Sequence, residues 1–241
     1  MRGLSFVLHW KIMVEKIDVG WIDPGFSSGH FTHSLAQEVG RMEYFGCLGN
    51  LHRVSTSIPL RSRNMVVEAF LEGDSEWLWL VDDDMVFSHG HVMELWNCAF
   101  EHGVKMVSGL AFIFKLSGRP VPSFYVWGDG EYTPKGELIG THNWIPEKPM
   151  QVAATGLASS LIHREVFEAM KFDRFPTYRW FDLHHTNPQG QAFGEDLQFF
   201  VRAGKLGYSL MLNPEAHTWH VKEIGVGLED WKRAWGKDEE E

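Results

Sequence analysis

Five consecutive apolar residues, Trp77-Leu78-Trp79-Leu80-Val81, run directly into three aspartates, Asp82-Asp83-Asp84. An unbroken apolar run flanked by charge suits a central strand covered on both faces, because successive side chains point to opposite sides of a sheet. The carboxylates then fall at the carboxyl end of the strand, the edge of an open parallel sheet where ligands bind. Three adjacent carboxylates repel one another, and a divalent cation offsets that repulsion. On extended backbone Asp82 and Asp84 face one way and Asp83 the other, which is DxD spacing. The competing reading is a solvated acidic turn before a helix that opens near Ser88, since helix N-termini stabilise carboxylates.

The flanking pattern alternates strand and helix. Residues 17–22 carry Ile17, Val19 and Trp21 on one face and stop at Asp23-Pro24-Gly25. Ser28 caps a helix that places Phe31, Leu35, Ala36 and Val39 on one side and ends near Gly40. Residues 53–58 form the next expected strand, and Met65, Val66, Ala69 and Phe70 mark a second helix closing at Gly73. After the triplet, Ser88 opens a helix with Val92, Leu95, Trp96 and Ala99 inward, followed by a strand region over 104–114. This order predicts an α/β fold with a mostly parallel central sheet flanked by helices on both faces.

Periodicity dissolves over 117–149 among glycines, prolines and aromatic residues, predicting short strands and long loops that carry a binding surface. Two short strands flank Gly156 within 150–162, a helix covers 164–170, and a second irregular aromatic stretch fills 172–193. A helix over 195–206 ends with Gly207 as its left-handed cap, and 208–212 is the last expected strand.

At 241 residues the chain suits a single domain with a substantial core. Its 22 basic residues are scattered against 32 acidic ones, which gives no footprint for duplex nucleic acid. Cys47 and Cys98 have no CxxC spacing, so neither a disulfide framework nor a thiolate zinc site is indicated, and a cytoplasmic location is expected. The early apolar run is interrupted by His9, Lys11 and Glu15, and no stretch approaches the roughly 20 apolar residues that span a bilayer. Motifs for a P-loop, a Rossmann dinucleotide site or a serine-hydrolase elbow are missing from the sequence.

Three further constellations carry chemistry. Glu195 and Asp196 open a helix after an aromatic loop; they read either as simple capping or as a positioned base for a hydroxyl proton. His217 and His220 follow the last strand, and either imidazole could join carboxylates on Mn2+, with His89, His91, His184 and His185 as competitors. Arg61-Ser62-Arg63-Asn64 starts the second helix, where arginine and backbone amides suit a phosphate or carbonyl oxygen.

Taken in order, Asp23-Pro24-Gly25, RSRN, WLWLVDDDMVF, ATGLASSLIHREVFEAM, GEDLQFFVRAGKLGY and NPEAHTWH resemble the GT-A fold glycosyltransferases, in particular family 2-like enzymes and their small bacteriophage relatives. The resemblance spans residues 17–221. It implies a metal-dependent hexosyl transfer from a nucleoside diphosphate sugar, such as a UDP-sugar, with Mn2+ or Mg2+ as cofactor. By the same resemblance Asp82 contacts the nucleoside, Asp84 binds the metal with Asp82 and His220, and Asp83 lies between them in the donor pocket. His220 fits the family's late histidine better than His217. Pro24, Arg63 and Asn64 are implied at the donor site, and Gly156 permits close approach of the sugar. Asp196 is implied as the base of an inverting transfer, with Glu195 beside it. The metal would neutralise charge on the leaving diphosphate. The hydroxyl acceptor stays open among a glycan, a protein and a modified nucleic-acid base, because 117–149 matches nothing in the family.

The resemblance also sets expected boundaries. The glycosyltransferase domain runs over 13–221, residues 1–12 form an N-terminal extension with Met13 resembling a start, and 222–241 form an acidic tail. For a viral chain the expected compartment is the host cytoplasm. The alternatives are a metal-dependent nucleotidyltransferase or phosphohydrolase, and a catalytically silent carbohydrate-binding protein that stacks sugars on its 11 tryptophans. Trp77 and Trp79, however, sit in a pattern that predicts burial.

Overall fold

A computed structural model describes residues 15–23, 25, 27–114, 119–129, 135, 137–140, 144–171, 180–183 and 194–221. Pro24, His184 and His185, the 1–12 extension and the 222–241 tail lie outside the described residues. In chain order the elements are β1 (Ile17–Ile22), α1 (Gly29–Tyr44), β2 (Leu48–Val54), α2 (Pro59–Glu72), β3 (Trp77–Asp82), β4 (Met85–Phe87), α3 (His91–His102), β5 (Met106–Leu110), β6 (Phe112–Phe114), β7 (Pro120–Pro122), β8 (Phe124–Trp127), β9 (Leu138–Gly140), β10 (Met150–Val152), β11 (Ala154–Thr155), β12 (Ser159–His163), α4 (Arg164–Lys171), α5 (Glu195–Lys205) and β13 (Leu210–His220).

The central sheet is ordered β10-β13-β5-β12-β3-β1-β2. Among the described residues β2, β1, β3, β5 and β13 run one way, while β12 and β10 run the other. The parallel majority follows from the strand–helix alternation of the first half. β12 is reversed because it enters at the carboxyl end of β3, Ser159 pairing with Val81, with no crossover helix to carry it back first.

The apolar run of β3 divides its side chains between two cores. Trp77, Trp79 and Val81 pack with α1 and α3, while Leu78 and Leu80 pack with α2, α4 and α5. Burial of each such side chain contributes about 1.5–3 kcal/mol. Helices therefore pack on both faces of the sheet. No helix among the described residues is long and apolar enough to cross a membrane.

Several boundaries differ from expectation. The second strand is Leu48–Val54 rather than 53–58, because Gly46, with φ of +74°, turns the chain immediately after α1. This strand lies at the sheet edge and is largely exposed, so apolar alternation does not mark it. α1 passes through Gly40 to Tyr44, with Met42 buried beyond the glycine. α3 begins at His91, not at Ser88; the Glu38 carboxylate of α1 accepts from the Gly90 and Val92 amides and supplies the missing cap. The 117–149 stretch contains β7, β8 and β9, with β8 between β9 and β11 in a separate small sheet.

β13 continues past Leu212 to His220. Asn213-Pro214 reads as a breaker, but its ladder with β5 shifts register between Asn213 and His217, where a bulge accommodates a residue without an N–H. The far half of β13 then pairs with β4, the strand that follows the aspartate triplet.

Candidate active site

The pairing of β4 with β13 sets His220 opposite Met85 and next to the triplet, and the Val221 amide donates to the Asp84 carbonyl at 2.8 Å. His220 Nε2 consequently lies 2.7 Å from Asp84 Oδ2, while its Nδ1 lies 3.0 Å from the Phe112 carbonyl. A carbonyl only accepts, so Nδ1 carries a proton, and Nε2 faces the carboxylate as a second N–H donor when the ring is charged or with a lone pair when it is neutral. Two facing acceptors at this distance require either a shared proton or a cation. The donor set, one carboxylate and one imidazole oriented by a backbone carbonyl, fits Mn2+ and, less well, Mg2+.

The other histidines are placed differently. His217 packs its ring against Trp219, centroids 4.8 Å apart. His91 is fully buried, with Nε2 2.7 Å from Ser159 Oγ, and burial followed by the charge of His217 pushes it down to about 3. It is a neutral core histidine.

Asp83 turns toward the end of β1. Burial, then the charges of Asp84, Asp23 and Asp82, pushes its carboxyl up to about 6. Asp23 escapes this fate. Burial would raise it, but bonds from the Gly25 amide and Arg53 Nε, both 2.7 Å, and from Ser27 Oγ at 3.1 Å hold it below the ordinary range. Asp23 and Arg53 thus flank the triplet at the same sheet edge. In the sequence Asp23 shows only as part of a strand stop, although Asp-x-Gly is also the signature of a side chain bonding to the amide two residues on.

Arg63, in the first turn and a half of α2, joins the end of β3 to the start of α5. Its Nη2 donates to Asp82 Oδ1 at 2.8 Å and its Nη1 donates to Glu195 Oε1, with only 11% of its side chain exposed. Burial opposes its charge, but Asp82, Glu195 and Asp196 outweigh that and raise its pKa. Asp82 therefore faces a guanidinium rather than completing a trio with Asp84 and His220. Among the described residues no group of three His, Cys, Asp or Glu side chains converges as a metal site.

Glu195 and Asp196 form the first turn of α5 after Gly194. Burial is the main reason that Asp196 is pushed up to about 6; the Leu197 amide, 2.8 Å from Oδ1, and Arg63 oppose it, while Glu195 and Asp82 add to it. A Cβ placed on Gly156 would stand 2.8 Å from Ser123 Oγ and 3.6 Å from Asp196 Oδ2. The glycine thus keeps open a space between a hydroxyl and a carboxylate. Burial and then Asp196 also raise the Tyr125 phenol. Ser123 and Tyr125 escaped sequence reading because the 117–149 stretch has no periodicity that marks a site.

Asn64, expected beside the donor, is buried and turned inward. Its Nδ2 donates to the Leu60 and Phe181 carbonyls at 2.9 and 3.0 Å, and its Oδ1 accepts from the Trp180 and Phe181 amides at 3.3 Å. Both amide hydrogens and both lone pairs are thereby engaged. Its role in the structure is to hold the 180–181 backbone against α2. Asn64→Ala would leave those buried groups unpaired, and urea unfolding is expected to show a loss of about 2–4 kcal/mol. A loss below about 1 kcal/mol would remove this assignment.

No protein-family model matches the chain, and no curated protein matches it in sequence. Solved structures do share its fold. "Crystal Structure of A197 from STIV" superposes with a TM-score of 0.52 at 15% identity, over 88% of this chain and 97% of that one. "Crystal structure of GalNAc-T7 with UDP, GalNAc and Mn2+" superposes with a TM-score of 0.54 at 10% identity, over 88% of this chain but only 45% of the other. The architecture is accordingly an α/β fold with a large central sheet flanked by helices, similar to that of GT-A glycosyltransferases.

Proposed function

We propose that this protein is a metal-dependent glycosyltransferase that moves a sugar from a nucleoside diphosphate sugar to a hydroxyl acceptor. The observation that carries the reading is the Asp84–His220 contact, a carboxylate and an imidazole 2.7 Å apart at the carboxyl edge of a GT-A-like sheet. Asp84 and His220 would hold Mn2+ or Mg2+. When bound, the ion supplies a Lewis acid that neutralises charge growing on the leaving diphosphate.

The protein groups divide the rest of the work. Arg63 sets Asp82 at the donor side, where Asp23 and Asp83 border the nucleoside. Asp196 is ionised at neutral pH and takes the proton of the acceptor hydroxyl. The acceptor oxygen bonds the anomeric carbon as the bond from that carbon to the diphosphate oxygen breaks, which inverts the anomeric centre in one displacement. Glu195, bonded to Arg63, keeps the guanidinium between donor and base.

The test uses a panel of nucleotide-sugars with and without Mn2+. Slow release of nucleoside diphosphate from one donor is expected, with metal required. The corresponding nucleoside diphosphate at a hundred times its Kd should raise Tm by about 5–10 °C only when metal is present. No shift with any nucleotide, from a folded protein, would sink the reading. The GalNAc-T7 structure contains UDP and Mn2+, so UDP with Mn2+ is the first pair to try.

A further inference from the structure

We infer that Arg53 reads the nucleobase of the donor, and that the base is guanine, so that the co-substrate is a GDP-sugar. The inference rests on the glycosyl-transfer reading above. It adds which nucleotide the donor side accepts and which side chain selects it.

Sheet order gives the base its place. Ile22, the last residue of β1, pairs with Val54 of β2 on one side and with Asp82 of β3 on the other. Adjacent strands lie about 4.8 Å apart, so the end of β2 stands roughly 10 Å from the triplet, across the end of β1. A nucleoside covers that span, with its diphosphate at Asp84, its ribose over β1 and its base at β2. The other neighbour of β3 is β12, preceded by Gly156, which faces Asp196. Sugar transfer belongs to that side, and the base is left the side of β1 and β2.

Arg53 stands at this end of β2 with its guanidinium held at one nitrogen. Its Nε donates to Asp23 Oδ2 at 2.7 Å, and that carboxylate is 4% exposed and is itself bonded by the Gly25 amide and Ser27 Oγ. An ordinary surface ion pair has two exposed partners; here the acid is buried and fixed, which orients the fork. The Arg53 side chain is 55% exposed, and its Nη nitrogens bond no described residue. Two N–H donors presented side by side match two adjacent acceptors. Guanine offers O6 and N7 on the edge far from the ribose, the edge that arginine reads in nucleic acids. Adenine and uracil set a donor beside the acceptor, N6 beside N7 and N3 beside O4. Cytosine has N3 and O2 together, but O2 adjoins the glycosidic bond, where the ribose crowds it.

Calorimetric titration of the protein with GDP, UDP, CDP and ADP, each with Mn2+, measures the selection and needs no acceptor. GDP is expected to bind about 5–150-fold more tightly than the other three, the range that one bidentate contact discriminates. The analogue 7-deaza-GDP, which lacks the N7 acceptor, should bind about tenfold more weakly than GDP. Arg53→Lys keeps a cation beside Asp23 but removes the fork, and should bring the ratio of GDP to UDP affinity to about one. The ratio is internal to each variant, so a reduced folded fraction does not imitate the effect. Wild-type binding of UDP, CDP or ADP as tight as that of GDP would overturn the inference, as would full affinity for 7-deaza-GDP or a GDP preference that survives in Arg53→Lys. Each of these results leaves the glycosyl-transfer reading standing. Binding of no nucleotide by folded wild type is a separate result: it removes that reading, and this inference with it.

Discussion

Asp84→Ala is expected to remove metal-dependent nucleotide binding and donor turnover together, by at least about 100-fold. Loss of a group that merely orients a metal ligand already costs about 10–100-fold, and in the proposed site Asp84 binds the ion directly. It also leaves His220 Nε2 without its 2.7 Å partner. His220→Ala should therefore reproduce the loss of metal dependence. Asp83→Ala is the contrast: its carboxyl faces Asp23 and its neighbours and is raised by burial and their charge, so its removal should cost less than about tenfold. Calorimetric titration of Mn2+ in the presence of nucleoside diphosphate, together with donor hydrolysis, separates these variants. Wild-type metal affinity in Asp84→Ala would remove the proposed site.

The second large effect concerns Asp196. Asp196→Asn keeps the acceptor for the Leu197 amide but cannot take a proton, so transfer should fall by about 10²–10⁴-fold while metal-dependent nucleotide binding persists. In wild type, kcat/KM should climb about tenfold per pH unit up to about 6 and level off above it, as Asp196 ionises. The same shift has a stability consequence of defined sign. Its folded pKa of about 6 lies above the ordinary 3.8 of an aspartate, so the folded state holds the proton more tightly, and stability falls as pH rises between those values. Above that window Asp196→Asn should be more stable than wild type, by about 1–3 kcal/mol at pH 8. A variant that is inactive yet more stable would be hard to explain by misfolding. Normal transfer by Asp196→Asn would exclude it as the base.

The parts of the site that were legible in sequence are those whose chemistry is local. Asp82-Asp83-Asp84 is recognisable because a fully buried strand must precede it, and Glu195-Asp196 because a helix start and its cap glycine surround it. His220 shows as a histidine near a strand end, and sequence alone does not separate it from His217. Their difference arises at the bulge after Asn213, which sets the register of the far half of β13 against β4. Asn64 illustrates the reverse: an amide in an arginine-rich helix start suits a ligand, but its partners are the backbone of residues 116 and 117 positions away.

Ser123, Tyr125, Asp23 and Arg53 had no legible signal as a group. Each lies in a short strand, a turn or an edge strand, where neighbouring residues impose no period. Their meeting depends on β11 and β8 pairing beside α5, and on β1 and β2 ending together beside the triplet.

By itself the sequence determined the strand–helix alternation, the double-sided burial of β3 and the placement of carboxylates at a strand end and a helix start. Those follow from side-chain periodicity and capping, which act over a few residues. Only the tertiary structure decided that Asp84 meets His220, that Asp82 meets Arg63 and that Asp196 meets Gly156 and Ser123. Such meetings depend on sheet order and on a one-residue register, set by the packing of the whole chain and not by any segment of it.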